Sequence, residues 1–446
     1  MEELSYLRKV ESNARTYAAT FQQLFVSGKG MRIRDAHGKE YLDCLSNAGT
    51  LALGHNPPPV KAAVMEFLAG DHLQQGLDLA TPAKYAFVQE LFSLLPDTMR
   101  NTSKILFCGP TGSDAVEAAI KLARHYTRRS ALMAFQGGYH GMTAGALSAM
   151  GNLRPKSNHG IIAQDTHFLP FPYRFRCPFG TSGEHTEQLS IDYIRNVLCD
   201  PEGGVTKPAA VIVEVVQGEG GCIPASANWL RELRAITLEQ EILLIIDEVQ
   251  TGLGRTGTTF ALEQAGIVPD ILVLSKAIGG GYPLSVIVYA EHLDTWGPGT
   301  HAGTFRGNQL AMVAGAATMR HIRENRLEAN ASAMGQILEN GLKQIAQRHD
   351  FIGDVRGRGL MLGVEITRPG VGGRAGPGDG QRAREIKLNC FENGLVIETG
   401  GRHGAVLRLL PPLNITEADI GQVLERFEQA VRKTCDKRRH VLGEIA

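Results

Sequence analysis

The sequence predicts an α/β fold with a largely parallel sheet covered by helices on both faces. Two observations carry this expectation. Short apolar runs, KILFCG, SALMAFQG, AAVIVEVV, EILLIIDE, DILVLSK and LSVIVYA, recur between residues 104 and 290. Helical segments lie among them: SDAVEAAIKLARHY puts Val116, Ala119, Ile120 and Ala123 on one face, and WLRELRAITLEQ follows AAVIVEVV. A strand buried on both sides reads as a continuous apolar run, whereas a strand with one wet face alternates. The least interrupted runs, Val211 to Val216 and Leu243 to Ile246, mark the expected centre of the sheet.

The remaining elements follow in order. KGMRIRDAHGKEYLDCLS reads as short strands with a hairpin turn at HGK. A helix begins near residue 60, with Pro59 just before it. After about residue 325 the pattern changes to a long amphipathic helix, RLEANASAMGQILENGLKQIAQRH, then VRGRGLMLGVEITR, a helix near 381–393, the strand AVLRLLPP and a helix over 417–434. The insert at 369–380 holds six glycines and two prolines and reads as a flexible surface loop. The expected division is an N-terminal segment, 1–65, that joins a small domain, a large domain over 66–325, and a C-terminal small domain over 326–446.

The balance of charge narrows the function classes. Among 446 residues, 46 Lys and Arg face 46 Asp and Glu, so nothing steers the chain toward nucleic acid or an anionic membrane. The basic RKTCDKRRH near the C-terminus is read as a solvated helix end. MEELSYLRKVESNARTY carries charges throughout and is no signal peptide, and no uncharged run reaches the length of a membrane span. The seven scattered cysteines form no CxxC pair and fit free thiols in a reducing cytoplasm.

Two strand ends carry the chemistry. Lys276 follows DILVLS and precedes AIGGG, and Asp247 follows four aliphatic residues, Leu243 to Ile246. An amine and a carboxylate in such places are costly to desolvate, and a lysine there becomes a usable nucleophile. A Schiff-base lysine with an aspartate for a pyridinium nitrogen is what pyridoxal 5'-phosphate requires. A strand ending in Asp-Glu is also an ATPase pattern, but no GK[ST] loop accompanies it, and no metal-ligand spacing occurs. GPTGSDAVEAAIK offers free backbone N–H groups and Ser113 at a helix start, a place for a phosphate. In QGGYHG, Tyr139 or His140 could stack on a planar ring.

These stretches, with VEVVQGEGG, LLIIDEVQTGLGRTG, HAGTFRGNQLA and AVLRLLPPL, resemble the class III aminotransferases, pyridoxal-phosphate enzymes of fold type I, from about residue 20 to the last helix. The resemblance implies a seven-stranded, mostly parallel sheet in the large domain and a smaller α+β domain from both termini. It implies that Lys276 bonds to the cofactor, Asp247 pairs with its ring nitrogen, Gln250 lies near its ring hydroxyl, Gly112 and Ser113 hold its phosphate, and Tyr139, with His140 beside it, meets the ring. Thr304 is expected to reach the phosphate of the other subunit in a homodimer with a shared active site, or in a tetramer.

Met142 follows YHG, where family members that use 4-aminobutyrate carry an arginine for the distal carboxylate. Val215 stands where a proline is common, with no functional consequence drawn. Met142 and PYRFRCPFG resemble the branch that forms 2,4-diaminobutyrate, nearer its siderophore and polyamine members than its ectoine members. The implied reaction is L-aspartate 4-semialdehyde plus L-glutamate giving L-2,4-diaminobutyrate and 2-oxoglutarate, reversibly, through pyridoxamine phosphate. Arg408 is expected to hold the α-carboxylate of glutamate, and Glu214 to pair with Arg408 when the semialdehyde is bound. Another ω-aminotransferase, acting on ornithine, diamines or 4-aminobutyrate, is the nearest alternative; a racemase or decarboxylase, or a binding protein on the same scaffold, is more remote.

Overall fold

The computed structural model describes residues 2–157, 165–181, 183–370 and 375–443, with side chains through residue 435. Seven strands form the central sheet, in the order Ser103–Phe107, Val286–Ala290, Ile271–Leu274, Leu243–Asp247, Ala210–Glu214, Leu132–Phe135 and Thr166–Leu169. Only Val286–Ala290 runs against its neighbours. The two runs expected at the centre lie there side by side, with Asp247 level with Glu214 across the ladder.

Alternating side chains along each strand feed two different cores. Ile212, Ile245, Ile271 and Val273 pack against the helix Gly112–Thr127, whose Ala115, Ala118, Ala119 and Ala123 let its backbone approach the sheet closely. Val211, Val213, Leu244, Ile246 and Leu272 pack on the other side, where the helix Ala227–Glu239 contributes Trp229, Leu230, Leu233 and Ile236. Trp229 is fully buried, and its indole N–H donates to Ser190 Oγ at 3.1 Å, so its polar atom is not stranded. Ser226 caps this helix by accepting from the Trp229 amide at 3.1 Å.

The C-terminal strands form a separate antiparallel sheet in the order Ile352–Arg358, Met361–Ile366, Val406–Leu409, Glu398–Gly400. VRGRGLMLGVEITR therefore folds as a hairpin, turning at Gly359. The N-terminal strands Phe25–Lys29, Arg32–Asp35 and Glu40–Asp43 end on Leu395–Val396, which pairs in parallel with Glu40–Asp43. The expected loop at 369–380 falls partly on residues 371–374, and the basic end of RKTCDKRRH falls beyond residue 435; those positions lie outside the described side chains. None of the cysteines is in a disulfide among the described residues. Among the described residues, no helix is long and apolar enough to cross a membrane.

Two departures from the sequence reading shape the site. The run AAVIVEVV stops as a sheet strand at Glu214, and Val216–Gln217 turns away to pair with Ile223–Pro224. The strand before Lys276 stops at Leu274, and Lys276 opens a tight 3-10 turn, Lys276–Gly279, with φ of 50°. A lysine in the left-handed region is strained, and such strain persists only where the surroundings hold it. The helix Gln309–Glu324 does the holding: a Cβ on its Gly315 would stand 2.0 Å from the Ile278 carbonyl oxygen of that turn. Gly315→Ala should therefore destabilise the fold by about 1–3 kcal/mol through overpacking. Gly421, also helical but with open space beyond it, is the control: Gly421→Ala should stabilise by about 0.5–1 kcal/mol. Thermal melts of the two variants check the contrast, and equal shifts would contradict it.

Candidate active site

The site gathers at the C-terminal ends of the central strands, where open α/β sheets bind ligands. Asp247, the last residue of its strand, is 4% exposed. One carboxylate oxygen accepts from the Val249 amide at 3.0 Å, and the other meets His140 Nδ1 at 2.8 Å. The expectation that His140 might meet the cofactor ring is corrected here. The imidazole is buried against Asp247, because a desolvated carboxylate needs a donor, and Tyr139 is left as the half-buried aromatic at the site. Burial opposes a charge on His140, but the hydrogen bond and charge of Asp247 outweigh it and raise the imidazole above its usual value.

Lys276 is half-buried, with no hydrogen bond or ion pair among the described residues. Desolvation holds its amine below the usual lysine value, outweighing the opposing pull of Glu219 and Asp247. Gln250 donates to the Ala48 carbonyl at 2.9 Å, while its buried Oε1 has no partner. Ala48 belongs to a left-handed stretch in which Ser46, Asn47 and Ala48 have φ of 47°, 50° and 56°. The first-turn N–H groups of Gly112 and Ser113 have no place in the helix ladder. Ser113 Oγ accepts from the Met142 amide at 3.2 Å. The backbone at Gly141 passes so near that a Cβ there would stand 2.2 Å from Ser113 Oγ. Thr304 is exposed in the turn Thr304–Gly307.

Glu214 and Arg408 do not meet, which corrects the expected pairing. Glu214 accepts from the Tyr139 and Gly218 amides, both at 2.9 Å, and so pins two loops at the strand ends. The partner of Arg408 is Glu219, with Nη2 to Oε1 at 2.7 Å. The reason is the hairpin: Val216–Gln217 and Ile223–Pro224 carry Glu219 out over the small sheet, while Glu214 stays in the large one. Arg408 is 1% exposed, and its Nε and Nη1 have no partner. Burial opposes the charge of its guanidinium, but Glu219 outweighs it and holds the pKa above the usual arginine value. Tyr17, 41% exposed in a short helix near the N-terminus, lies close enough to feel this pair: desolvation first, then the charges of Glu219 and Glu398, push its phenol up to about 12.

Residues 14–431 match the family described as aminotransferase class-III, and the chain belongs to that family. It is 52% identical to the diaminobutyrate–2-oxoglutarate aminotransferase of Rhizobium meliloti, over 95% of this chain and 92% of that protein. It is 44% identical to the enzyme of the same name from Haemophilus influenzae, over 95% of this chain and 93% of that one. Among solved structures it resembles a PLP-bound amine transaminase from an uncultivated Pseudomonas species, with a TM-score of 0.86, 27% identity, and coverage of 96% of this chain and 99% of the other. Pyridoxal phosphate is therefore the cofactor, and the residues present fit it. The lowered Lys276 amine, the buried Asp247 carboxylate, the orphaned Gln250 Oε1 and the free first-turn N–H groups of Gly112 and Ser113 match its aldehyde, ring and phosphate chemistry.

Glu214 gives the site a pH signature. Desolvation first, then Asp247, raise its carboxyl from 4.5 to about 7, against His140 and the two backbone donors. A folded-state value above the unfolded one means stability that is fully present below about pH 4.5 and is lost as pH rises through 7. Glu214→Gln mimics the neutral form, so its melting temperature relative to wild type should climb between pH 5 and 8. A constant offset across that range would contradict the buried, titrating carboxyl.

Proposed function

We propose that the enzyme moves the amino group of L-glutamate to the aldehyde carbon of L-aspartate 4-semialdehyde. The products are L-2,4-diaminobutyrate and 2-oxoglutarate, and the reaction is reversible and ping-pong. The observation that carries this reading is the buried Arg408, with two unpartnered nitrogens and one ion pair to a glutamate on a glycine-flanked loop. Two relatives named as diaminobutyrate–2-oxoglutarate aminotransferases support the same reading.

Bound pyridoxal phosphate supplies the electron sink for the carbon that loses its proton. Lys276 anchors it, and its low-pKa amine, once free, carries the proton away from the nitrogen-bearing carbon and returns it one position along. Asp247 holds a proton on the ring nitrogen, with His140 fixing the orientation of its carboxylate. Gln250 would meet the ring hydroxyl, Tyr139 the ring, and Gly112 and Ser113 the phosphate at the helix start.

The two substrates demand opposite things of Arg408. Glutamate must present its α-carbon, so Arg408 clamps its α-carboxylate and Glu219 gives way. Diaminobutyrate must present its far amine instead, so Glu219 stays on Arg408 and denies it to the α-carboxylate. A guanidinium left open and unpaired would be costly to bury, which is what Glu219 prevents. Met142, 49% exposed, cannot grip the distal carboxylate of 4-aminobutyrate.

The assembly is a homodimer in this reading. Leu73, Leu77, Leu79 and Phe305 are exposed, and main-chain bonds from Gly76 to Gly307 and from Gln309 to Gln74 put their two segments together, with Thr304 alongside. A second copy covers this apolar surface and takes Thr304 to its phosphate. The reduced thiols suit the cytoplasm.

Rapid mixing of the holoenzyme with single amino donors tests the assignment. L-2,4-diaminobutyrate should react much faster than 4-aminobutyrate, ornithine or simple diamines; equal rates would sink it. Arg408→Ala should cost the glutamate half-reaction about 2–4 kcal/mol more than the diaminobutyrate half-reaction, because only glutamate loses a charged clamp. Equal slowing of both halves would remove Arg408 from its assigned role.

A further inference from the structure

We infer that Arg356, held by Glu365 and Tyr173, is the positioning residue that keeps the Glu219 loop over Arg408 and so decides which end of diaminobutyrate reacts. This rests on the proposed exchange of Glu219 and substrate at Arg408.

The loop from Gly218 to Cys222 has little fixed structure of its own. Gly221 and Cys222 sit at φ of 117° and 53°, and the amides of both reach back to the Gly218 carbonyl, at 3.0 and 3.2 Å. Three outside contacts hold its main chain. Glu214 accepts from the Gly218 amide, Gly401 donates to the Glu219 carbonyl at 2.8 Å, and Arg356 Nε donates to the Gly221 carbonyl at 2.9 Å. Arg356 is the one charged side chain among the three that reaches across from the antiparallel C-terminal sheet.

Arg356 is itself held on several sides, although its buried Nη2 has no partner. Its Nη1 lies 2.7 Å from Glu365 Oε2 and 2.9 Å from Asp354 Oδ2. Glu365 is 1% exposed and also accepts from the Tyr173 hydroxyl and from Arg176 Nε. The Tyr173 ring lies between two guanidiniums, with Arg356 at 4.8 Å and Arg402 at 4.9 Å from its centre. Tyr173 and Arg176 come from PYRFR, the stretch whose chemistry the reaction otherwise leaves unused. A bridge built this way transmits position: Tyr173 and Glu365 set the guanidinium, the guanidinium sets Gly221, and Gly221 lies two residues from Glu219. The room is tight as well, since a Cβ on Gly221 would stand 2.9 Å from Arg356 Nη2.

The consequence is selective. With the loop held, Glu219 returns to Arg408 whenever glutamate leaves. With the loop loosened, Arg408 stands open to the α-carboxylate of diaminobutyrate, and the α-amine rather than the far amine is presented to Lys276. Productive turnover of diaminobutyrate falls, while glutamate, which needs Glu219 out of the way, is spared.

Arg356→Lys is the test. It keeps a charge for Glu365, but one ammonium nitrogen cannot occupy the places of both Nη1 and Nε, from which Arg356 reaches Glu365 and the Gly221 carbonyl. In rapid mixing of the holoenzyme, the rate of far-amine transfer from diaminobutyrate, relative to the glutamate half-reaction, should fall by at least about tenfold. Hydrogen exchange at the Gly221 and Cys222 amides should quicken. The inference stands only if both change in this way, and failure of either overturns it. If Arg356→Lys does not fold, Tyr173→Phe takes its place with a fall of at least about threefold in the same ratio and the same exchange criterion. A wild-type enzyme inert toward diaminobutyrate would overturn the substrate assignment instead, and hydrogen exchange alone would then decide the role of Arg356.

Discussion

The structure turns on a carboxylate taken out of water at the end of a central strand. Asp247 follows four fully aliphatic residues, and nothing in a sheet core solvates it. His140 and the Val249 amide both meet its oxygens, so the buried carboxylate is not left without partners. That choice constrains its neighbours. Glu214, level with Asp247 in the next strand, is driven toward neutrality first by its own burial and then by the charge of Asp247. Lys276, two residues past the adjacent strand, feels the same dry surroundings as a lowered amine pKa. A site made of a fixed anion and a deprotonatable amine is one that a protonated pyridine with an aldehyde completes.

Arg408 is the second constraint, and it is of a different kind. Its partner sits on a hairpin loop rather than in a sheet, and Glu219 keeps about a third of its side-chain surface exposed while Arg408 has almost none. The pair is therefore lopsided: the arginine is permanently dry, and the glutamate can leave into water at small cost. That asymmetry suits an ion pair that must open for one substrate and close for the other. It also means that selectivity depends on main-chain placement of a glycine-flanked loop, which is why the buried Tyr173, Arg356 and Glu365 bridge matters beyond stability.

The sheet was legible from the apolar runs, because strands buried on both faces have to be apolar at every position. Lys276 and Asp247 stood out for the same reason, as charges where such runs end, whereas Arg408, inside the strand Val406–Leu409, stood out only by the family resemblance. What the residues alone hid depends on chain turning. Glu214 was expected to pair with Arg408 by the family resemblance, yet its strand breaks after it, and the glycines of QGEGG were the signal that Glu219 sits on a loop free to move. His140 looked like a stacking ring beside Tyr139, but only the sheet order brings it onto Asp247. Tyr17 lies about 200 residues from Glu219 and carries no local mark of its position. The hairpin within VRGRGLMLGVEITR and the bridge from PYRFR to it needed the small sheet to be seen.

The central claim is that the dry lysine at the end of the Ile271–Leu274 strand is the one that bonds pyridoxal phosphate. Borohydride reduction of the holoenzyme, followed by proteolysis and mass mapping, tests it directly. The account predicts a single reduced cofactor adduct, on the peptide that contains Lys276. An adduct on any other lysine, or none in an enzyme that still transaminates, would contradict it.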